Sequence, residues 1–336
     1  MPPMHNECPR GPAEKLVDVH AHFVTDDYRA AAQAAGYIHP DGMTAWPTWN
    51  VDEHLRLMDS CGIRTSMLSI SSPGVHFGND IAARTLARTV NDFGSAVTQV
   101  RPERFGLFAA LPLPDVSGSL IEAAYALDEL GADGVAVETN SRGLYLGDER
   151  FDPLWQELNR RKCVVFVHPT SPPGYEKTSL GRPRPMLEFI FDSTRAASDL
   201  LFAGTLNRYP DIEWIFTHTG GTLPLLADRL ELFQTLFMTE SNSSQNALQQ
   251  IGRLWFDMAG TPFPHSVPAL IAAFGSERLL YGSDYCWTPA AGAAAQVASV
   301  DAAKQPPGDS WRALTTRNAG RLLSRTDALR EQYRAH

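Results

Sequence analysis

Two histidines, His20 and His22, stand two apart in the run Leu16-Val17-Asp18-Val19-His20-Ala21-His22-Phe23. An extended strand alternates its faces, so both imidazoles point the same way and can grip one cation between them. The plainer alternative is a pair of half-buried histidines with ordinary hydrogen bonds. His168 follows Val164-Val165-Phe166-Val167, His218 follows Trp214-Ile215-Phe216-Thr217, and Asp284 closes Leu280-Tyr281-Gly282-Ser283. Singly, each suits a satisfied polar residue at a strand end. Together they are metal-capable groups gathered at the ends of four apolar runs, the pattern of one convergent site. Three imidazoles and a carboxylate suit Zn2+, with Mn2+, Fe2+ or Co2+ as neighbours. An open position on such an ion holds water whose pKa falls to about 7.

Convergence needs a scaffold. Short apolar runs rich in branched residues mark buried parallel strands. Eight occur, at 16–23, 65–71, 104–111, 134–139, 163–168, 212–219, 254–259 and 278–284. Helical patterns fall between and after them, at 80–100, 117–130, 153–160, 186–208, 223–237, 268–274 and 311–323. Strict alternation predicts parallel pairing with right-handed crossovers, and its closed solution is an α/β fold of the (β/α)8 barrel type. An open doubly wound sheet is the rival, but the Gly-rich phosphate turn it needs after strand one is absent. Three long links, 24–50, 169–185 and 285–309, all follow strand C-termini, the catalytic face of such a barrel. The expected division is a tail at 1–15 that is polar, proline-rich and mobile, one barrel at 16–325, and a C-terminal tail at 326–336.

Net charge is −9 and no basic stripe is visible. Nucleic-acid binding and binding to anionic membranes are therefore disfavoured. No apolar run approaches the ~18 residues of a membrane helix. Cys8, Cys61, Cys163 and Cys286 form no knuckle or CxxC pair, which suits a reduced, cytoplasmic protein.

The motifs Val17-Asp18-Val19-His20-Ala21-His22, Phe166-Val167-His168-Pro169, Thr217-His218-Thr219-Gly220-Gly221 and Tyr281-Gly282-Ser283-Asp284-Tyr285 resemble the signature of the amidohydrolase superfamily (amidohydrolase family 2). The likeness is to its branch typified by aminocarboxymuconate-semialdehyde decarboxylase. Within that branch, Trp49-Asn50-Val51-Asp52, Ser71-Ser72-Pro73-Gly74-Val75 and Leu111-Pro112-Leu113-Pro114-Asp115 are most similar to 6-methylsalicylate decarboxylases. The resemblance implies that His20, His22, His168 and Asp284 are the metal ligands and that His218 is the catalytic histidine beside them. It also implies that Asp284 takes part in proton delivery. Arg229 falls where the prototype uses an arginine lent by the neighbouring subunit to a substrate carboxylate, which implies a homodimer or higher homo-oligomer. The other reading of Arg229 is a helix-surface arginine paired with Asp228 or Glu231.

The sequence departs from the prototype in one clamp. The arginine expected shortly before Trp49 is missing from Thr44-Ala45-Trp46-Pro47-Thr48. A substrate with fewer carboxylates and more aromatic surface fits better, with Trp46, Trp49 and Asn140 as candidate substrate contacts. Packing is the commoner role for the two tryptophans. Many hydrolytic members of that superfamily carry a lysine here that bridges two metals; the strand 134–139 has none, so the resemblance implies a single ion. Glu138 is either a bridge to a second ion or a strand-end acceptor. Cys286 is either a reactive thiol or small filler. The expected activity is a metal-dependent, non-oxidative decarboxylation of a small aromatic or unsaturated carboxylic acid, such as an ortho-hydroxybenzoate. The alternatives are a lactonase or amidohydrolase using a metal-bound water, and an inactive metal-binding protein.

Overall fold

The computed structural model of the protein describes residues 14–237 and 245–334, with the backbone alone from 325 onward. Eight parallel strands form the sheet: β1 (Leu16–His22), β2 (Ile63–Ser69), β3 (Phe105–Ala110), β4 (Gly134–Glu138), β5 (Val164–His168), β6 (Glu213–Phe216), β7 (Trp255–Asp257) and β8 (Leu279–Leu280). They lie in chain order, each bonded to the next. Parallel bridges from Asp18 to Tyr281 and from Ala21 to Tyr285 bring β1 beside the end of β8. The result is a nearly closed (β/α)8 barrel. The expected N-terminal tail lies outside the described residues except for Glu14 and Lys15. At the other end the helix Trp311–Arg334 runs past residue 325.

The barrel interior is a packed floor. Val17, Val19, Met67, Phe108, Phe166, Ile215 and Leu280 fill it, and Phe108 stacks on Phe166 at 5.5 Å between centroids. Ala319 and Leu322 of the C-terminal helix close the bottom. A second apolar layer joins the strands to the helices, through residues such as Leu68, Leu107, Val135 and Val165.

Simple alternation would give His20 and His22 the face opposite Val17 and Val19. The β1–β2 register shifts between Asp18 and Ala21, and that irregularity turns the strand. Val19 lies in the inner floor, yet His20 also lies inward, 5.1 Å from the Phe166 ring. The two histidines still share a face, because they are two apart beyond the irregularity.

Three expectations need correction. The runs 212–219 and 278–284 are strands only in part: β6 stops at Phe216 and β8 at Leu280. His218 and Asp284 sit on turns beyond them with positive φ, 53° and 57°. The helical pattern 186–208 is two helices, Glu188–Phe202 and Thr205–Arg208, parted at Gly204, whose φ of 75° no helix continues. The long links are also not structureless. Asp26–Ala34 is a helix capped by Thr25, whose side chain accepts from Tyr28 N, and Ala290–Ala302 is a helix within 285–309.

Candidate metal centre and active site

His20, His22, His168 and Asp284 place one ligand atom each within 4.8 Å of one another. What aims them is the other nitrogen of each ring. His20 Nδ1 donates to Asp257 Oδ2 at 2.9 Å, and His22 Nδ1 donates to Ser69 Oγ at 3.0 Å. His168 Nδ1 donates to Pro169 O at 2.7 Å, an acceptor that fixes the tautomer. All three Nε2 atoms are thereby turned to the centre, the arrangement metal-bound histidines adopt. His20 Nε2 lies 3.0 Å from His22 Nε2, and Asp284 Oδ1 lies 3.4 and 3.3 Å from the two.

The charges fit a cation. Burial alone would push the His20 ring down, but Asp257 and Asp284 outweigh it and raise it to about 10. Burial drives His22 and His168 the other way, so both are neutral donors. Burial would raise Asp284, but the His20 charge and hydrogen bonds from His20, His218 and His22 hold its carboxyl well below the usual range. Asp257 is lowered too, the His20 charge outweighing burial. Two carboxylates thus face the one positive charge on His20, Asp257 at Nδ1 and Asp284 at Nε2, a pattern that a divalent cation in place of the Nε2 proton completes. The cluster is a divalent-metal site.

His218 stands just outside the cluster. Its Nε2 is 3.6 Å from Asp284 Oδ2, its Nδ1 meets Thr217 Oγ1 at 2.9 Å, and its backbone N–H donates to Asp257 Oδ1 at 3.0 Å. Asp257 therefore anchors His20 and the His218 turn together. Sequence reading missed it, although an acid ending the buried run Trp255-Phe256-Asp257 was a visible signal. Asp18 was also passed over as a functional group. Its carboxylate accepts from the N–H groups of His20 and Ser283 and from Ser283 Oγ, tying β1 to the Asp284 turn. Burial raises its pKa to about 6 against those hydrogen bonds.

Above His168, His218 and Asp284 opens a cavity of about 500 Å3, walled by Met43, Met186, Phe189, Ile190 and Trp287. The apolar wall suits an aromatic ring and the convergent polar floor suits its acidic end. Neither Trp46 nor Trp49 lines it. Trp46 is buried, donates to Tyr37 O at 2.9 Å and packs 5.6 Å from Trp287, so it supports a wall residue. Trp49 donates to His54 Nδ1 at 3.0 Å and packs on Phe23 and Phe93.

Asn140 uses its carboxamide within the chain: Nδ2 donates to Asp192 Oδ2 at 2.9 Å, and Oδ1 accepts from Gly143 N at 3.0 Å. It pins the short hairpin of Asn140–Ser141 and Leu144–Tyr145. Arg229 is exposed on the helix Leu223–Phe237, its guanidinium 4.9 Å from the Phe233 ring, away from the cavity of its own chain. Glu138 lies beside His168 but outside the four-residue cluster. Cys286 is buried and its thiol is pushed up to about 12, so it stays protonated and serves as filler.

Comparison with known proteins agrees with this geometry. Residues 17–325 match the family model described as amidohydrolase. Decarboxylase yanB of Aspergillus niger is 36% identical over 287 residues, covering 81% of this chain and 77% of that protein. The 6-methylsalicylic acid decarboxylase of Penicillium expansum is 35% identical over 274 residues, covering 80% and 84%. A crystal structure of an amidohydrolase II superposes with a TM-score of 0.86 at 31% identity, covering 92% of this chain and all of that one. With the metal cluster, the family match and these relatives in agreement, the chain belongs to the amidohydrolase family, on the branch of these decarboxylases, and the enzyme it forms is a carboxy-lyase.

Proposed function

We propose that the enzyme removes CO2 from a small ortho-hydroxybenzoate, such as a methylsalicylate, using one divalent ion held by His20, His22, His168 and Asp284. The observation that carries this reading is the convergence of three Nε2 atoms and one carboxylate beneath an apolar-walled cavity. Zinc is the first choice for three imidazoles and one carboxylate, ahead of Mn2+, Fe2+ or Co2+. When bound, the ion would supply Lewis acidity that offsets the negative charge developing on the substrate.

The rest falls to the chain. Direct loss of CO2 would leave an unstable aryl anion. A proton is instead added to the ring carbon that bears the carboxylate. The carbon–carboxylate bond then breaks, its electrons restore the aromatic ring, and CO2 leaves. Asp284, or a group it relays through, delivers that proton; because the carboxyl rests ionised, it first takes the proton up from solvent. His218, at the cavity edge with Nε2 3.6 Å from Asp284 Oδ2, takes the phenol proton and returns it. Phe189, Met186 and Trp287 exclude water and hold the ring.

Arg229 reaches the substrate carboxylate from a neighbouring copy in a homodimer. Support comes from its exposed helix, which also exposes Leu225, Leu232, Leu236 and Phe237. The buried, unpaired Cys61, Cys163 and Cys286 suit a reducing, cytoplasmic setting. The test is a panel of aromatic acids, lactones and amides given to metal-loaded enzyme. CO2 release from an ortho-hydroxybenzoate is expected. Ring opening of a lactone without CO2 release from any acid would instead make it a hydrolase.

A further inference from the structure

A second cavity, of about 320 Å3, lies on the β4 side of the metal cluster. Asp41 lines both cavities. Glu138, the last residue of β4, forms part of its wall. Its Oε2 is 3.7 Å from His168 Nδ1, but that nitrogen already gives its proton to Pro169 O. Oε2 is buried with no hydrogen-bond partner. Room for the carboxyl comes from Gly74: a Cβ there would stand 3.2 Å from Glu138 Cγ and 3.4 Å from Oε1. Two neighbouring polar groups are engaged elsewhere. Asn140 serves Asp192 and Gly143, and Asp41 Oδ1 accepts from Ser171 Oγ at 2.5 Å. A buried polar atom left without a partner calls for an explanation. Here one is at hand, because Glu138 flanks a metal ligand and lines a ligand-sized space, to which a turn of its carboxyl would bring Oε2.

We propose that Glu138 is a specificity residue, accepting a hydrogen bond from a hydroxyl or amino substituent on the substrate ring, so that such acids are preferred over those with a methyl group at the same position. A carboxyl oxygen accepts from such a donor whether or not the group is protonated. The inference rests on the carboxy-lyase reading above. The His168 ring has Phe189 6.1 Å away and Glu138 3.7 Å from its Nδ1, so a ring whose acidic end is held at the cluster would lie within reach of both.

The test uses metal-loaded enzyme and pairs of 2-hydroxybenzoates carrying hydroxyl or methyl at each free ring position in turn. At one position the hydroxyl partner should be favoured by about tenfold or more in kcat/KM. Glu138→Met, close in volume and apolar, should abolish that preference while changing the methyl partner by less than about threefold and leaving metal content unaltered. Glu138→Gln, whose amide oxygen still accepts, should retain part of it and serves if the methionine variant folds poorly. An undiminished preference in both variants overturns the proposal. So does a wild-type enzyme indifferent to the substituent, or two ions per chain falling to one in Glu138→Gln. Calorimetric binding of resorcinol against 3-methylphenol separates the two readings. If no acid is turned over but resorcinol binding still depends on Glu138, the activity fails and this site stands. Turnover that ignores Glu138 sinks this site alone.

Discussion

At the metal centre each histidine uses one nitrogen to be held and the other to hold. His20, His22 and His168 lean on Asp257, Ser69 and Pro169 O, so the three Nε2 atoms meet without further adjustment. Losing one ligand leaves the rest too few to retain a cation. His168→Ala and Asp284→Ala should each lower bound metal sharply by elemental analysis, and full retention in both would refute the ligand assignment. His218 meets the cluster through Asp284 and through the edge-to-face packing of its ring on His20, and it faces the cavity. His218→Asn should keep the metal yet lose more than about tenfold in turnover, about 1.4 kcal/mol of barrier. A smaller loss at full metal content would remove the histidine from proton transfer. The ligands were legible because they carry the only chemistry metals need, at the ends of apolar runs. Asp257 and Asp18 were not singled out, since a buried carboxylate reads as a support only once its partners are known.

At the scale of elements, strands and their order follow from apolar periodicity, whereas ends and turns follow from caps and contacts. The helix Val116–Ala124 shows this. Asp115 caps it by accepting from Gly118 N at 3.0 Å, and Arg84 of the helix Asp80–Val100 grips the same carboxylate from Nε at 2.5 Å and Nη2 at 3.0 Å. The arginine hydrogen bond is the main reason that the Asp115 pKa falls to about 2. A carboxyl lowered on folding adds stability above its unfolded value, near 4, and loses it as pH falls towards 2. Asp115→Ala should therefore cost about 1 kcal/mol at neutral pH. By urea unfolding, that gap should shrink by about half by pH 3. A gap unchanged between pH 7 and pH 3 would show that the cap does not act through its charge. The helices Asp26–Ala34 and Ala290–Ala302 escaped notice because proline and long apparent links dominate their surroundings. Their own signals, a Thr25-Asp26-Asp27 cap and a run of alanines, are local and short.

At the scale of the molecule, the assembly is tested through Arg229. Arg229 is exposed and lies away from its own cavity, on a helix with five large exposed apolar side chains. If a neighbour completes the site, Arg229→Ala should raise KM for an aromatic monocarboxylate by about tenfold or more, the value of a hydrogen bond to a charged group. Its unfolding temperature should hardly move. Mixed dimers of Arg229→Ala with His168→Ala should regain activity, since one hybrid site keeps both groups. No rescue in verified mixed dimers would return Arg229 to a surface role.

By itself the sequence determined that a parallel (β/α)8 barrel would form, and that His20, His22, His168, His218 and Asp284 would gather at one mouth of it. Both follow from periodic burial, which is written along the chain as a local pattern. Only the tertiary structure decided how β1 turns His20 inward after Val19. It alone decided that His218 and Asp284 ride on left-handed turns beyond their strands, that Trp46 backs a wall instead of forming one, and that Glu138 is left without a partner. Those facts depend on groups far apart in sequence, such as His20 with Asp257 and Asp18 with Ser283. Hydrogen-bond satisfaction between such groups exists only once the barrel has closed.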